Sequence, residues 1–161
     1  MIEKDLGQFI PYVFETYKPE SPIIDFGCGK NKRFPGIYHG VDIVPGSDIV
    51  ADVHDVPVAD NTYSTAVSID ALEHFENPIK VISEMVRVTK PGGLIIISTV
   101  FAWVLHEHPS DYFRFTASCL RMLLTKNNCD VLECDFSHPF GAGPYPPTMG
   151  VHVYAIGRKR I

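Results

Sequence analysis

Short apolar runs alternate with amphipathic helical stretches along this chain, and that alternation predicts an α/β fold built on a doubly wound, mostly parallel sheet. Two further observations point the same way. The run Ile23-Ile24-Asp25-Phe26 ends in Gly27-Cys28-Gly29, where glycines let a strand turn sharply and bring its backbone close to a ligand. Carboxylates then recur at the ends of later runs, at Asp42, Asp52 and Asp70, along the edge where open α/β sheets collect ligands. The last strand is expected to run antiparallel, and the crossovers after the first two strands are expected to be short.

A chain of 161 residues is the size of one domain, so a single unit over residues 1–161 is expected. Its 45% apolar and 20% charged content is that of a globular protein. A net charge of −5 offers no general attraction to nucleic acid or acidic membranes, and neither is expected as a partner. Lys30, Lys32 and Arg33, and Arg158-Lys159-Arg160, could each form a local basic patch, but read better as a solvated turn and a solvated tail. The cysteines, Cys28, Cys119, Cys129 and Cys134, form no Cys-x-x-Cys pair and read as reduced thiols. No basic segment followed by an apolar one opens the chain, and the run from Leu94 to Leu105 is shorter than the roughly 20 residues that span a bilayer. A cytoplasmic location is the expectation.

In chain order, Leu6, Phe9, Ile10, Val13, Phe14 and Tyr17 mark an amphipathic helix, which Pro11 should break or restart. After the glycine turn, Lys30 to Gly36 leaves little room for a helix before a second strand, Tyr38 to Asp42. Val44-Pro45-Gly46 then turns the chain into a marginal third strand, Asp48 to Ala51. Thr65 to Ile69 reads as the fourth strand. Asn77-Pro78 caps a helix with Ile79, Ile82, Met85 and Val86 on its apolar stripe, stopped by Pro91-Gly92-Gly93 near Lys90. Leu94 to Thr99 is apolar throughout and therefore central. Thr116 caps a third helix that ends at Asn127-Asn128, and Val131 to Phe136 and Val151 to Gly157 are the last strands. Between them, Ser137 to Thr148 is a proline- and glycine-rich loop in which Phe140 and Tyr145 line an acceptor pocket or cover the sheet edge.

The strand ends share one acidic crevice, with Asp25, Asp42, Asp52, Asp55, Asp70 and Glu73 near it. Such a crevice suits a ligand carrying ammonium and sulfonium centres better than a dinucleotide pyrophosphate. Lys32 also stands where a Gly-x-Gly-x-x-Gly loop has its third glycine. Both features favour S-adenosylmethionine over NAD.

From Ile23 onward the chain resembles the class I S-adenosylmethionine-dependent methyltransferases, with their Rossmann-like fold. Ile24 to Gly29 is similar to the family's glycine motif, and Gly40-Val41-Asp42-Ile43 to its ribose-binding strand end. Ala51 to Pro57 is similar to the segment that reads the adenine. Ser68 to Phe75, continued by Arg87 to Gly93, resembles the small-molecule branch of the family. The resemblance implies that Asp25, Gly27, Cys28 and Gly29 shape the methionine pocket, with a main-chain contact at Ile69. Asp42 and Ile43 would meet the ribose, while Asp52 and the backbone of Val53 would hold the adenine edge. Cys28 is then a small residue in a tight turn rather than a reactive thiol. Gly27→Val is expected to block the cofactor and leave the protein folded.

Methyl transfer needs a base only when the acceptor is a hydroxyl or a protonated amine. His74 is the candidate base; the alternative is that it packs the turn after the fourth strand. His106, His108, Tyr112 and Arg114 are candidate acceptor contacts, unless the segment from Tyr112 merely docks the next helix. Asp70, Glu73 and His74 are also similar to the pattern with which small-RNA 3′-terminal methyltransferases hold magnesium, with His106 or His108 as a further ligand. Magnesium is served poorly by imidazoles, however, and no resident metal is expected. The expected activity is methyl transfer to a small-molecule or exposed acceptor. A non-catalytic cofactor-binding module within a hetero-complex is the alternative, and a homodimer also stays open.

Overall fold

The computed structural model describes residues 6–30, 33–107, 109–136 and 151–161. It contains helices α1 (Leu6–Tyr17), α2 (Pro78–Val88) and α3 (Ala117–Lys126). The strands are β1 (Ile23–Phe26), β2 (Tyr38–Asp42), β3 (Ile49–Val50), β4 (Tyr63–Ile69), β5 (Thr89–Ala102), β6 (Cys129–Phe136) and β7 (Val151–Lys159). They form one sheet in the order β3-β2-β1-β4-β5-β7-β6. The pairs from β3 to β5 are parallel, whereas β7 runs antiparallel between β5 and β6. The order reverses between β1 and β4, which puts the ligand crevice of such a sheet over their carboxyl ends.

Alternation along the strands sends side chains to two buried faces. Ile24 and Phe26 join Ile95 and Ile97 on one face, covered by Val81, Ile82 and Met85 of α2 and by Leu120, Leu123 and Leu124 of α3. Ile23, Val67, Ile69 and Ile96 lie on the other, covered by Phe9 and Val13 of α1. Both expected caps form: Asn77 Oδ1 accepts from the Lys80 amide at 3.1 Å, and Thr116 Oγ1 from the Cys119 amide at 3.1 Å.

Pro11 does not break α1, which runs through it from Leu6 to Tyr17. An interior proline costs about 3 kcal/mol, whereas burying a large apolar side chain returns about 1.5–3 kcal/mol. Phe9 and Val13, 3% and 1% exposed, straddle Pro11 and outweigh it. The second departure is at Pro91-Gly92-Gly93. α2 stops earlier, at Val88, and Thr89 already pairs with Tyr63, so the glycines form a bulge before the register resumes at Leu94 opposite Thr65.

Among the described residues no helix separates β1 from β2 or β2 from β3, in line with the short crossovers expected. Phe34 fills the space, stacked between Phe14 and Tyr38. The loop carrying Phe140 and Tyr145 lies outside the described residues. Among the described residues, no helix is long and apolar enough to cross a membrane.

Candidate active site

Two glycines of the β1 turn do different work. At Gly27, with φ at +75°, a Cβ would stand 2.7 Å from the Ala71 Cβ and 2.8 Å from Phe75. At Gly29, with φ at +58°, a Cβ would meet nothing within 4 Å. This corrects the expectation for Gly27→Val: a side chain there strikes the turn after β4 before any ligand, and Gly29 is the position that faces open space. Asp42 braces the turn, its Oδ2 accepting from the Gly29 amide at 2.8 Å and its Oδ1 from the Val44 amide at 3.1 Å. Ile43 beside it is 67% exposed, an apolar side chain left uncovered at the strand end.

Asp25 is fully buried, and burial pushes its pKa up to about 6, against the pull of the Tyr38 hydroxyl that donates to Oδ2 at 2.7 Å. Its Oδ1 has no hydrogen-bond partner among the described residues. Cys28 is packed so closely against Gly40 that a Cβ there would collide with Sγ. Burial, then the Asp25 charge, pushes the thiol up to about 11, so it stays protonated at neutral pH.

Asp52 belongs to a relay that the sequence did not reveal. Its Oδ1 accepts from the His54 amide at 2.9 Å and from the His54 ring at 2.6 Å, and these bonds hold its pKa below the ordinary value. The Asn77 amide donates to His54 Nε2 at 3.2 Å, which places the ring proton on Nδ1, facing Asp52. Val53 is buried beneath. The segment is clamped from α2, where Glu84 accepts from the Val56 amide and Arg87 donates to the Val56 and Val58 carbonyls.

At the end of β4, the Ile69 carbonyl accepts from the Arg33 guanidinium at 2.9 Å. Arg33 therefore reaches the crevice instead of forming a solvated turn. Asp70, with φ at +47°, accepts from Ser98 Oγ at 2.8 Å and stands 3.2 Å from His152 Nε2. Burial disfavours a charged His152, but its hydrogen bond to Asp70 and the nearby carboxylates outweigh that and raise its pKa.

The 3-10 turn Leu72–His74 brings Glu73 and His74 beside His106, with the imidazole centroids 4.9 Å apart. His74 Nδ1 meets the Ser110 carbonyl, and His106 Nδ1 lies 3.2 Å from the Val104 carbonyl and 3.1 Å from Asp111 Oδ2. Tyr112 is tied to the turn by its amide, which donates to the Glu73 carbonyl at 2.9 Å, while its ring stays 48% exposed. Arg114 pairs with Asp111 and donates to the Phe113 carbonyl, so its guanidinium is held by the protein's own loop. That bond, more than any other influence, keeps the Asp111 carboxyl far below its usual range. His108 lies outside the described residues. A concavity of about 320 Å³ opens at the opposite strand ends, beside Glu20, Ser64, Lys90 and Arg158, away from these groups.

A reversed strand order with a glycine turn and a braced carboxylate at the reversal is a Rossmann-like arrangement. Residues 24–97 match the family model described as a methyltransferase domain. The chain is 35% identical to a malonyl-[acyl-carrier protein] O-methyltransferase of Buchnera aphidicola, over 73% of this chain and 55% of that protein. It thus spans about half the length of that curated relative. A Burkholderia thailandensis 1,6-didemethyltoxoflavin-N1-methyltransferase, solved with S-adenosylhomocysteine, superposes with TM-score 0.70 at 15% identity, covering 94% of this chain and 76% of that one. A chain from the complex of the Haloferax volcanii Trm112 methyltransferase activator with a methyltransferase superposes with TM-score 0.65 at 16% identity, covering 86% and 82%. Residues 24–97 thus carry a methyltransferase domain, and the fold is the Rossmann-like fold of the class I S-adenosylmethionine-dependent methyltransferases.

Proposed function

We propose that this chain transfers a methyl group from S-adenosylmethionine to a small or exposed acceptor. The observation that carries the reading is the pair of carboxylates at the glycine turn: Asp25 Oδ1 is buried without a hydrogen-bond partner among the described residues, and Asp42 braces the Gly29 amide. A pyrophosphate would be repelled there, whereas an ammonium and a sulfonium are attracted. The open face of Gly29 leaves room for the ligand backbone, and Asp42 offers a carboxylate to the ribose hydroxyls. Asp52, oriented by His54, and the amide of Val53 hold the adenine edge. Arg33 is placed to pair with the methionine carboxylate while the second lone pair of the Ile69 carbonyl receives the ammonium. When bound, S-adenosylmethionine supplies a methyl group activated by its sulfonium.

The residues beyond the methyl side handle the acceptor. Because His74 Nδ1 points at a carbonyl, which only accepts, the lone pair of the neutral ring lies on Nε2 and can take a proton from an acceptor hydroxyl or ammonium. Trp103, Val104 and Leu105, 43%, 65% and 71% exposed, offer apolar surface on the same loop as His106, which suits an acceptor with an apolar body. The same exposure favours a second reading, a subunit completed by a partner; the Haloferax likeness is to a chain from a complex with an activator.

Calorimetry with S-adenosylhomocysteine, S-adenosylmethionine and NAD tests the cofactor assignment. Binding of the first two and not of NAD is expected; the reverse would overturn it. A labelled-methyl screen over metabolite pools, with and without cell extract, then separates the readings. Transfer by the chain alone supports an enzyme complete in itself, and transfer only with extract supports the partnered subunit.

A further inference from the structure

We infer that Glu73, His74 and His106 form a binding site for a divalent first-row transition ion. One donor atom from each lies within 4.8 Å of the other two. Glu73 Oε1 stands 3.8 Å from His74 Nε2 and 3.7 Å from His106 Nε2. Metal bonds of about 2.0–2.2 Å in a tetrahedral array hold donors about 3.3–3.6 Å apart, so the two Glu73 distances need to shorten by only a few tenths of an ångström, and the two imidazoles must draw together to seat an ion.

The placement of the ring protons decides what this cluster attracts. His74 Nδ1 faces the Ser110 carbonyl, and His106 Nδ1 faces the Val104 carbonyl and the Asp111 carboxylate. These groups only accept, so in each neutral ring the proton sits on Nδ1 and the lone pair on Nε2. Contacts of this kind fix the tautomer of metal-binding histidines. Three lone-pair atoms thus converge with no hydrogen between them. Glu73 supplies an independent observation. It is fully buried, its Oε2 accepts from Thr99 Oγ1 at 2.6 Å, and its Oε1 accepts no hydrogen bond from the described residues. A buried carboxylate oxygen without a partner is costly unless a cation meets it.

The donor set chooses the ion. Two imidazole nitrogens and one carboxylate oxygen suit zinc, cobalt, manganese or iron, whereas magnesium demands an octahedron of oxygens. Asp70, the acidic residue of the sequence pattern, is engaged with Ser98 and His152. Among the described residues the site therefore has three protein donors, which leaves coordination positions for water or an acceptor oxygen. This departs from the sequence expectation of no resident metal. It rests on the proposed methyl transfer and deepens it. With the ion bound, His74 Nε2 is a ligand, and a hydroxyl acceptor bound to the ion becomes acidic enough to lose its proton to water.

The test is a titration of the metal-free whole chain with Co²⁺, followed by visible absorption. Bands of a low-coordinate nitrogen–oxygen site are expected, saturating at one ion per chain, lost to excess Zn²⁺ and unchanged by excess Mg²⁺. His106→Ala and Glu73→Gln should each lower Co²⁺ affinity by about 100-fold or more. Circular dichroism checks that each variant is folded, and the wild-type titration stands without them. Absence of the bands overturns the site, as does equal Co²⁺ affinity in wild type and folded variants. S-adenosylhomocysteine binding, measured on the same samples, separates the two ideas. Its retention without a Co²⁺ signal refutes only the metal, and its absence in wild type refutes the proposed function.

Discussion

A carboxyl group shut away from water, as Asp25 is, makes stability depend on pH in the direction opposite to a surface ion pair. Its pKa rises from 3.8 to about 6 on folding, so the folded state holds the proton more tightly than the unfolded chain. The favourable contribution is complete below pH ~4, falls away as pH rises toward ~6, and is absent above that, a loss of roughly 3 kcal/mol. Asp25→Asn keeps a partner for Tyr38 and cannot ionise. Denaturant unfolding should find it up to about 3 kcal/mol more stable than wild type at pH 7, and no more stable at pH 4. An equal advantage at both pH values would exclude titration as the cause. That Asp25 and Asp42 stand near strand ends was legible because each lies in or at the end of a strand pattern. Arg33 and His54 were not, since the groups they serve, the Ile69 carbonyl and the Asn77 amide, come from distant segments.

At the scale of the element, helix α1 is held to the sheet by more than its apolar stripe. Tyr12 and Tyr17 from α1 and Tyr154 from β7 all direct their hydroxyls to the Glu133 carboxylate on β6. Each hydrogen bond to a charged acceptor is worth about 1.5–3 kcal/mol, less what water returns to exposed partners. Glu133→Ala should therefore cost about 3 kcal/mol or more, and hydrogen exchange should show protection lost first across α1. Uniform loss across the sheet would mean that the carboxylate serves the strands instead. The helical period made α1 legible, but the cost of Pro11 was judged without the burial of Phe9 and Val13. The caps at Asn77 and Thr116 were readable because a cap is a local bond. The bulge at Gly92 was not, because it depends on the register against β4.

Across the whole molecule, alternation of period carried the fold class, and the short crossovers followed from the few residues between strands. The place of β7 between β5 and β6 is a matter of long-range pairing, which no local pattern encodes. The crevice proposed for the cofactor is formed by loops and strand ends from separate parts of the chain, so a ligand that bridges them should stabilise the fold as a whole. At 100 times its dissociation constant a ligand adds about 2.7 kcal/mol, which for a chain of this size raises the melting temperature by about 5–10 °C. Scanning calorimetry with saturating S-adenosylhomocysteine should record that shift. A melting point unmoved by the ligand would mean that nothing in the folded crevice recognises it.

Gly27 has no side chain, and the Ala71 methyl and Phe75 ring crowd the place where one would stand. The turn that would receive the cofactor therefore leans on the turn that carries Glu73 and His74. A displacement of either would press on the other, so the two proposed loading events would be coupled through one free energy. Reciprocity then requires that the factor by which the nucleoside changes the affinity for the ion equal the factor by which the ion changes the affinity for the nucleoside. Which of them arrives first would be set by their concentrations in the cell, and not by the anatomy of the site.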